Sequence, residues 1–141
     1  MLTQTEEYAL RLVFLLANAP TGQYRKAPTL AEQANIPTQY VFKVLKPLND
    51  AGLTKTVKGS KGGVKLNKPA NAISLADVIE AIRPRRKPEK CLFPKAAKSL
   101  QLCQLHNTIV TAQNALWSVY SNTTLQDLLH DDPARNGKCS L

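Results

Sequence analysis

Two groups of residues in this chain have types and spacings that can do chemistry. The first is a run of lysines, Lys55, Lys58, Lys61 and Lys65, in T-K-T-V-K-G-S-K-G-G-V-K-L. Gly59, Gly62 and Gly63 sit among them and give a hairpin tip its backbone freedom. Lysines crowded on one hairpin repel each other unless an anion such as phosphate neutralises them. The second group is Cys91, Cys103 and Cys139 with His106. An odd cysteine count argues against a disulfide framework and leaves metal ligation, thiol redox chemistry and simple burial as open readings. Cys139 falls in the tail and carries no ligand role. With only His106 and His130 and few acids nearby, no nucleophile–base pair or phosphate loop is evident, so an enzyme is not expected.

The elements that must carry the lysines are legible on either side of them. Thr29 can cap a short helix ending near Asn35, with Glu32 as its capping-box partner. Ile36-Pro37-Thr38 makes a turn, and a second helix runs from about Thr38 to Asp50 and stops at Gly52. Its core face is Val41, Val44, Leu45 and Leu48. Pro47 should kink or break it locally. Strands at 54–58 and 64–66 complete a winged helix-turn-helix, a shape that lays one helix in a DNA groove and presses a hairpin on the backbone. Ahead of it, a helix is expected from Thr3 to Asn18, capped by Thr3 or Thr5, with Tyr8, Leu12, Leu15 and Leu16 at helical spacing. The loop from Thr21 to Pro28 reads as polar. A helix follows from Asn71 to Ile82, with Ser74 able to cap it. A long helix from about Ser99 to Tyr120 carries Leu102, Leu105, Ile109, Ala112, Leu116 and Val119 on one stripe. That stripe suits packing against its twin in a homodimer. A last short helix spans Thr124 to Leu129. The fold expected is mainly α with a small β wing. The DNA-binding unit covers 1–82, a basic linker 83–98, the dimerisation and terminal helices 99–130, and a frayed tail 131–141.

The formal charge is +9, from 19 Lys+Arg against 10 Asp+Glu. A polyanion is the natural partner, and sequence-tolerant RNA binding is the alternative to DNA. No apolar run approaches the roughly 18 residues that span a bilayer. The first residues lack the layout of a signal peptide. A cytoplasmic, nucleoid-associated protein with no membrane partner is expected.

The segments L-T-x-x-x-E-Y-A-L-R, I-P-x-x-Y-V-x-K-V-L, A-G-L, K-G-x-x-G-G-V-x-L and I-S-L-A-D-V-I-E-A-I together resemble the iron–sulfur cluster regulators, dimeric winged-helix transcription factors that are mostly repressors. The resemblance covers nearly the whole chain. It implies an iron–sulfur cluster of the 2Fe-2S type, held by Cys91, Cys103, His106 and Glu7 from the partner subunit. The chain departs from the family pattern near Ala96-Ala97, where a middle cysteine usually falls. One branch of the family, a cysteine-metabolism repressor, holds no cluster. A cluster-free regulator that senses by thiol oxidation, metabolite or partner protein is therefore the alternative.

On the DNA side, Gln39, Tyr40 and Lys43 begin the second helix of the motif and are the expected base readers. Gln suits adenine and Lys suits guanine. Tyr40 reads equally well as a core contact. Phe42 either touches a thymine methyl or folds back on the wing. Thr3 and Lys58 are expected on phosphates, with Ser60 and Lys61 reaching the minor groove or backbone. Two such units in a dimer imply double-stranded DNA with a pseudo-palindromic operator.

Overall fold

The computed structural model describes residues 2–85 and 100–130, with side chains from Gln104 onward in the second stretch. The helix α1 (Gln4–Ala17) begins at Thr3, whose hydroxyl accepts from the Glu6 N–H while the Glu6 carboxylate accepts from the Thr3 N–H at 2.6 Å. This reciprocal box satisfies donors that a helix start otherwise leaves open. Next, α2 (Ala27–Ala34) starts two residues before the expected Thr29 cap. Lys26 is its N-cap and Pro28 lies in its first turn. Proline suits that place because its φ is already helical and its missing N–H has no partner there to lose. At the far end Asn35 takes a left-handed φ of 54°, and Ile36 N–H closes back on the Ala31 carbonyl at 2.9 Å.

The helix α3 (Thr38–Asp50) runs without interruption through Pro47. No local break occurs; Lys43, whose carbonyl loses its N–H partner, is exposed, so water can reach that oxygen. Gly52 at φ 70° ends the helix, with Leu53 N–H on the Leu48 carbonyl at 3.0 Å. The strands β1 (Thr54–Val57) and β2 (Gly63–Leu66) pair antiparallel, Thr54 opposite Leu66. A 3-10 turn at Ala70–Ala72 precedes α4 (Leu75–Ile82), which is capped by Ser74 and Asp77. The long α5 (Leu100–Asn122) leads to α6 (Leu125–Leu129), capped by Thr124 and Asp127.

One core joins these elements. Leu12 and Val13, Leu30, Val41, Val44 and Leu48, Val64, Ile73, Val78 and Leu125 are all fully or almost fully buried. Leu125 is the long-range member. It reaches the core because residues 73–75 and 123–125 pair as a short bridge, with Leu75 N–H on the Thr123 carbonyl and Leu125 N–H on the Ile73 carbonyl, both at 2.9 Å. The end of α5 is thereby fastened to the body that carries α3.

The segment after α4, expected as a basic linker, is bound on two sides at its start. Arg83 Nε lies 2.8 Å from Oε1 of the fully buried Glu6. Arg85 donates to Asn114 of α5 at 2.7 Å and lies 4.9 Å above the Trp117 ring. Burial alone would raise the Glu6 pKa, but the Thr3 N–H and hydroxyl and the Arg83 charge outweigh it and hold the carboxyl below its ordinary value. The sign follows. Glu6 contributes stability above the ordinary glutamate value of about 4.3, and that stability is lost as pH falls through the lower folded value. Glu6→Gln is expected to lower unfolding free energy by about 1–3 kcal/mol near neutral pH. In urea titrations from neutral to acid pH the gap between wild type and variant should close below the carboxylate range. A gap that is independent of pH would contradict the ion-pair assignment.

Candidate nucleic-acid interface

An α-helix turns about 100° per residue, so burial of Val41, Val44, Leu45 and Leu48 fixes what α3 shows to solvent. Gln39, Lys43, Lys46 and Asp50 form the opposite stripe and are exposed. Tyr40, 38% exposed, borders the stripe on one flank, and Phe42, 57% exposed, on the other. Tyr40 meets Tyr8 of α1 edge-on, with ring centres 6.1 Å apart, and Lys43 Nζ stands 5.8 Å above the Tyr40 ring. Gln4 donates to the Tyr8 hydroxyl at 3.0 Å. Tyr40 is thus a packing contact to α1 that keeps an accessible edge.

Local contacts shape the wing. A Cβ on Gly62 would stand 2.1 Å from the Val57 carbonyl oxygen, so only glycine closes this tip. Lys55 and Lys65 are direct cross-strand partners, a like-charge pair that costs stability. Lys65 is partly compensated by the Tyr24 ring, 4.8 Å from its Nζ. Lys58, Ser60 and Lys61 at the tip are exposed, as a backbone-contacting hairpin requires. Asn49 ties α3 to β1, donating to the Thr56 hydroxyl at 2.8 Å and accepting from Thr54 at 2.6 Å.

The sequence reading missed the residues that dock the wing. Arg25 exchanges two backbone hydrogen bonds with Val64, both 2.8 Å, and adds a third short segment to the two-stranded sheet. Lys26 Nζ donates to the Gly59 carbonyl at 3.3 Å and also to the Ser60 carbonyl. Residues 21–28 looked like a plain polar loop because a single-residue bridge leaves no periodicity. The available signal was Ala27-Pro28, which marks a helix start and makes Lys26 its cap.

Of the remaining expected site residues, Thr3 is exposed, but its hydroxyl is committed to Glu6. Glu7 is exposed on α1, with Arg11 3.9 Å away. His106 is half-buried on α5 and makes contacts of its own. Cys103 lies on α5, with its side chain outside those described, and Cys91 and Cys139 lie outside the described residues. Among the described residues no three His, Cys, Asp or Glu side chains are grouped to hold a metal ion. By donor type, two thiolates, an imidazole and a carboxylate suit iron.

Lys26→Met removes the donor to the wing tip and keeps the length of the side chain. It is expected to weaken duplex binding several-fold with little change in melting temperature, and to increase amide exchange at residues 58–62. Unchanged exchange at the tip would mean that Lys26 does not hold the wing.

Similarity to known proteins agrees with this geometry. The sequence model of the Rrf2 family, described as an iron-dependent transcriptional regulator, matches residues 2–131. Protein aau3 of Rhizobium meliloti is 32% identical over 138 residues, which cover 96% of this chain and 88% of that protein. The oxidised form of Staphylococcus aureus CymR is similar at 27% identity, a TM-score of 0.73 and coverage of 92% and 96% of the two chains. IscR of T. potens shares the fold at a TM-score of 0.75 and 21% identity, with 96% and 90% covered. No helix among the described residues is long and apolar enough to cross a membrane. The chain belongs to the Rrf2 family of winged-helix transcriptional regulators, DNA-binding proteins rather than enzymes.

Proposed function

We propose that this regulator works as a homodimeric repressor in the cytoplasm on a pseudo-palindromic operator, with Gln39, Tyr40 and Lys43 at base edges. Lys58, Ser60 and Lys61 serve the backbone and minor groove, and Thr3 joins them where its hydroxyl turns from Glu6 to a phosphate. The observation that carries the reading is the exposed Gln39–Lys43–Lys46 stripe beside a lysine-bearing wing held by Lys26 and Arg25. Pairing of subunits through α5 is supported by Leu105, Leu116 and Val119, which are 48%, 47% and 61% exposed in the single chain. An apolar row of that size on one helix is covered most economically by its own copy. The domain division follows: 1–82 reads DNA, 83–98 links, 99–130 pairs the subunits, and 131–141 is a tail.

The proposed iron–sulfur cluster, of the 2Fe-2S type, would be held by Cys91, Cys103 and His106, with Glu7 supplied by the partner subunit. When bound, such a group supplies a redox-active centre whose potential rises as imidazole replaces thiolate. The chain's own contribution is the path from that place to the DNA. Glu7 precedes Tyr8, and Tyr8 touches Tyr40 of α3. A displacement of the first turn of α1 therefore reaches the recognition helix.

A second reading, a direct thiol switch at Cys91 and Cys103, is favoured by the likeness to oxidised S. aureus CymR. Iron and acid-labile sulfide analysis of anaerobically purified protein separates the two. The cluster reading expects both elements in the dimer and their loss in Cys103→Ser. Iron-free protein that binds its operator fully, and loses binding on thiol oxidation, would replace the cluster with the thiol switch. For the base-reading role, Lys43→Ala should weaken binding to a specific duplex by about 1–3 kcal/mol and leave a scrambled duplex much less affected. Equal loss on both would reduce Lys43 to a phosphate contact.

A further inference from the structure

Phe42 is a large, mostly exposed apolar side chain on α3, the helix proposed to enter the groove. It is 57% exposed, and no aromatic or cation–π contact to it occurs among the described residues. It is not part of the hydrophobic core. A single exposed hydrophobic residue is ordinary on a protein surface, so exposure alone decides nothing. Its place does. Phe42 precedes Asn49 by seven residues, nearly two full turns, and so lies on the same flank of α3, about 10 Å nearer the helix start. Asn49 bonds to Thr56 of β1, which makes this the flank that borders the wing. Phe42 therefore sits in the first half of the helix, on the wing-side edge of the Gln39–Lys43–Lys46 stripe.

The surroundings choose the occupant. Lys43, Lys46, Lys58 and Lys61 are exposed on the same helix and wing. An apolar protein partner would have to bury or displace these charges, whereas a duplex neutralises them. Within a major groove the base edges offer hydrogen-bond donors and acceptors and a single apolar group, the thymine 5-methyl. A phenyl ring carried there cannot hydrogen-bond, so it penalises bases that present a polar edge and favours the one that presents a methyl.

We propose that Phe42 is a specificity-determining residue that reads a thymine methyl in each half-site. The inference rests on α3 being the groove-entering helix and adds the base and the atom group that one of its side chains selects.

The test uses the full-length chain and duplexes that it selects from a randomised library. Each thymine of the selected duplex is replaced singly by deoxyuridine, which removes only the methyl. Affinities of wild type, Phe42→Ala and Phe42→Leu are measured by fluorescence anisotropy at one salt concentration. At one thymine per half-site the wild type should lose roughly fourfold, the transfer value of one buried methyl. Phe42→Ala should bind the thymine and deoxyuridine duplexes equally, so the two changes do not add. Phe42→Leu should recover part of the preference. If Phe42→Ala and wild type respond alike to every deoxyuridine, the assignment is overturned. A library that yields no preferred duplex overturns the groove-reading role of α3 itself, and the Phe42 inference with it. Because the side chain is exposed, the melting temperatures of the variants should match that of wild type.

Discussion

The DNA-facing surface depends on a pairing only one residue wide. Arg25 and Val64 exchange backbone hydrogen bonds, and this contact joins the wing to the start of α2. A two-stranded ribbon is marginal by itself in water. Val64 is buried because the ribbon is docked, and Gly63 can have no side chain because the Arg25 carbonyl stands 2.6 Å from where a Cβ would be. Lys26, the next residue, holds the tip from below. On the other side, Asn49 fixes β1 to α3. The wing and the recognition helix are thus set in register before any ligand arrives, and the entropy of ordering them is spent in folding rather than in binding.

A chain with a charge of +9 has to accommodate its own repulsion. The directly opposed Lys55 and Lys65 are the clearest local conflict, relieved on one side by Tyr24. Such conflicts are tolerated where a function needs the charge. Two other cations, Arg83 and Arg85, are bound rather than displayed. Arg83 meets a buried carboxylate and Arg85 covers Trp117. These two arginines, separated by Pro84, fasten α4 to the start of α1 and to α5. In sequence, Cys91 lies six residues beyond Arg85, the end of a strap that meets Glu6 of α1's capping box and Asn114 and Trp117 of the long helix.

Much of this was legible in the sequence. Thr3 and Ser74 were legible as possible caps and Thr124 as the start of the last helix, because capping is local chemistry, although α4 begins at Leu75 rather than Asn71. The glycines gave the wing, and the 3.6-residue period gave the buried face of α3. What could not be read was non-local. Neither the Arg25–Val64 bridge nor the insertion of Leu125 into the core leaves a periodic trace, since each depends on one residue meeting a partner far along the chain. Glu6 stands three residues after Thr3, where a capping box places its acid, and its second partner, Arg83, could be known only from the fold. Thr29 with Glu32 satisfied the capping pattern, but the bridge at Arg25 and the proline at 28 start the helix earlier. For the proposed sensing site, donor types were legible in the sequence, while Cys91 and the side chain of Cys103 lie outside the described residues.

The central claim is that two identical α3–wing units face one duplex at a separation fixed by α5. Hydroxyl-radical footprinting of the full-length protein on a duplex it selects tests this most directly. The account expects two equivalent protected windows, their centres about one helical turn or a small multiple apart, on one side of the double helix. A single window, or protection that spreads evenly without phase, would contradict it.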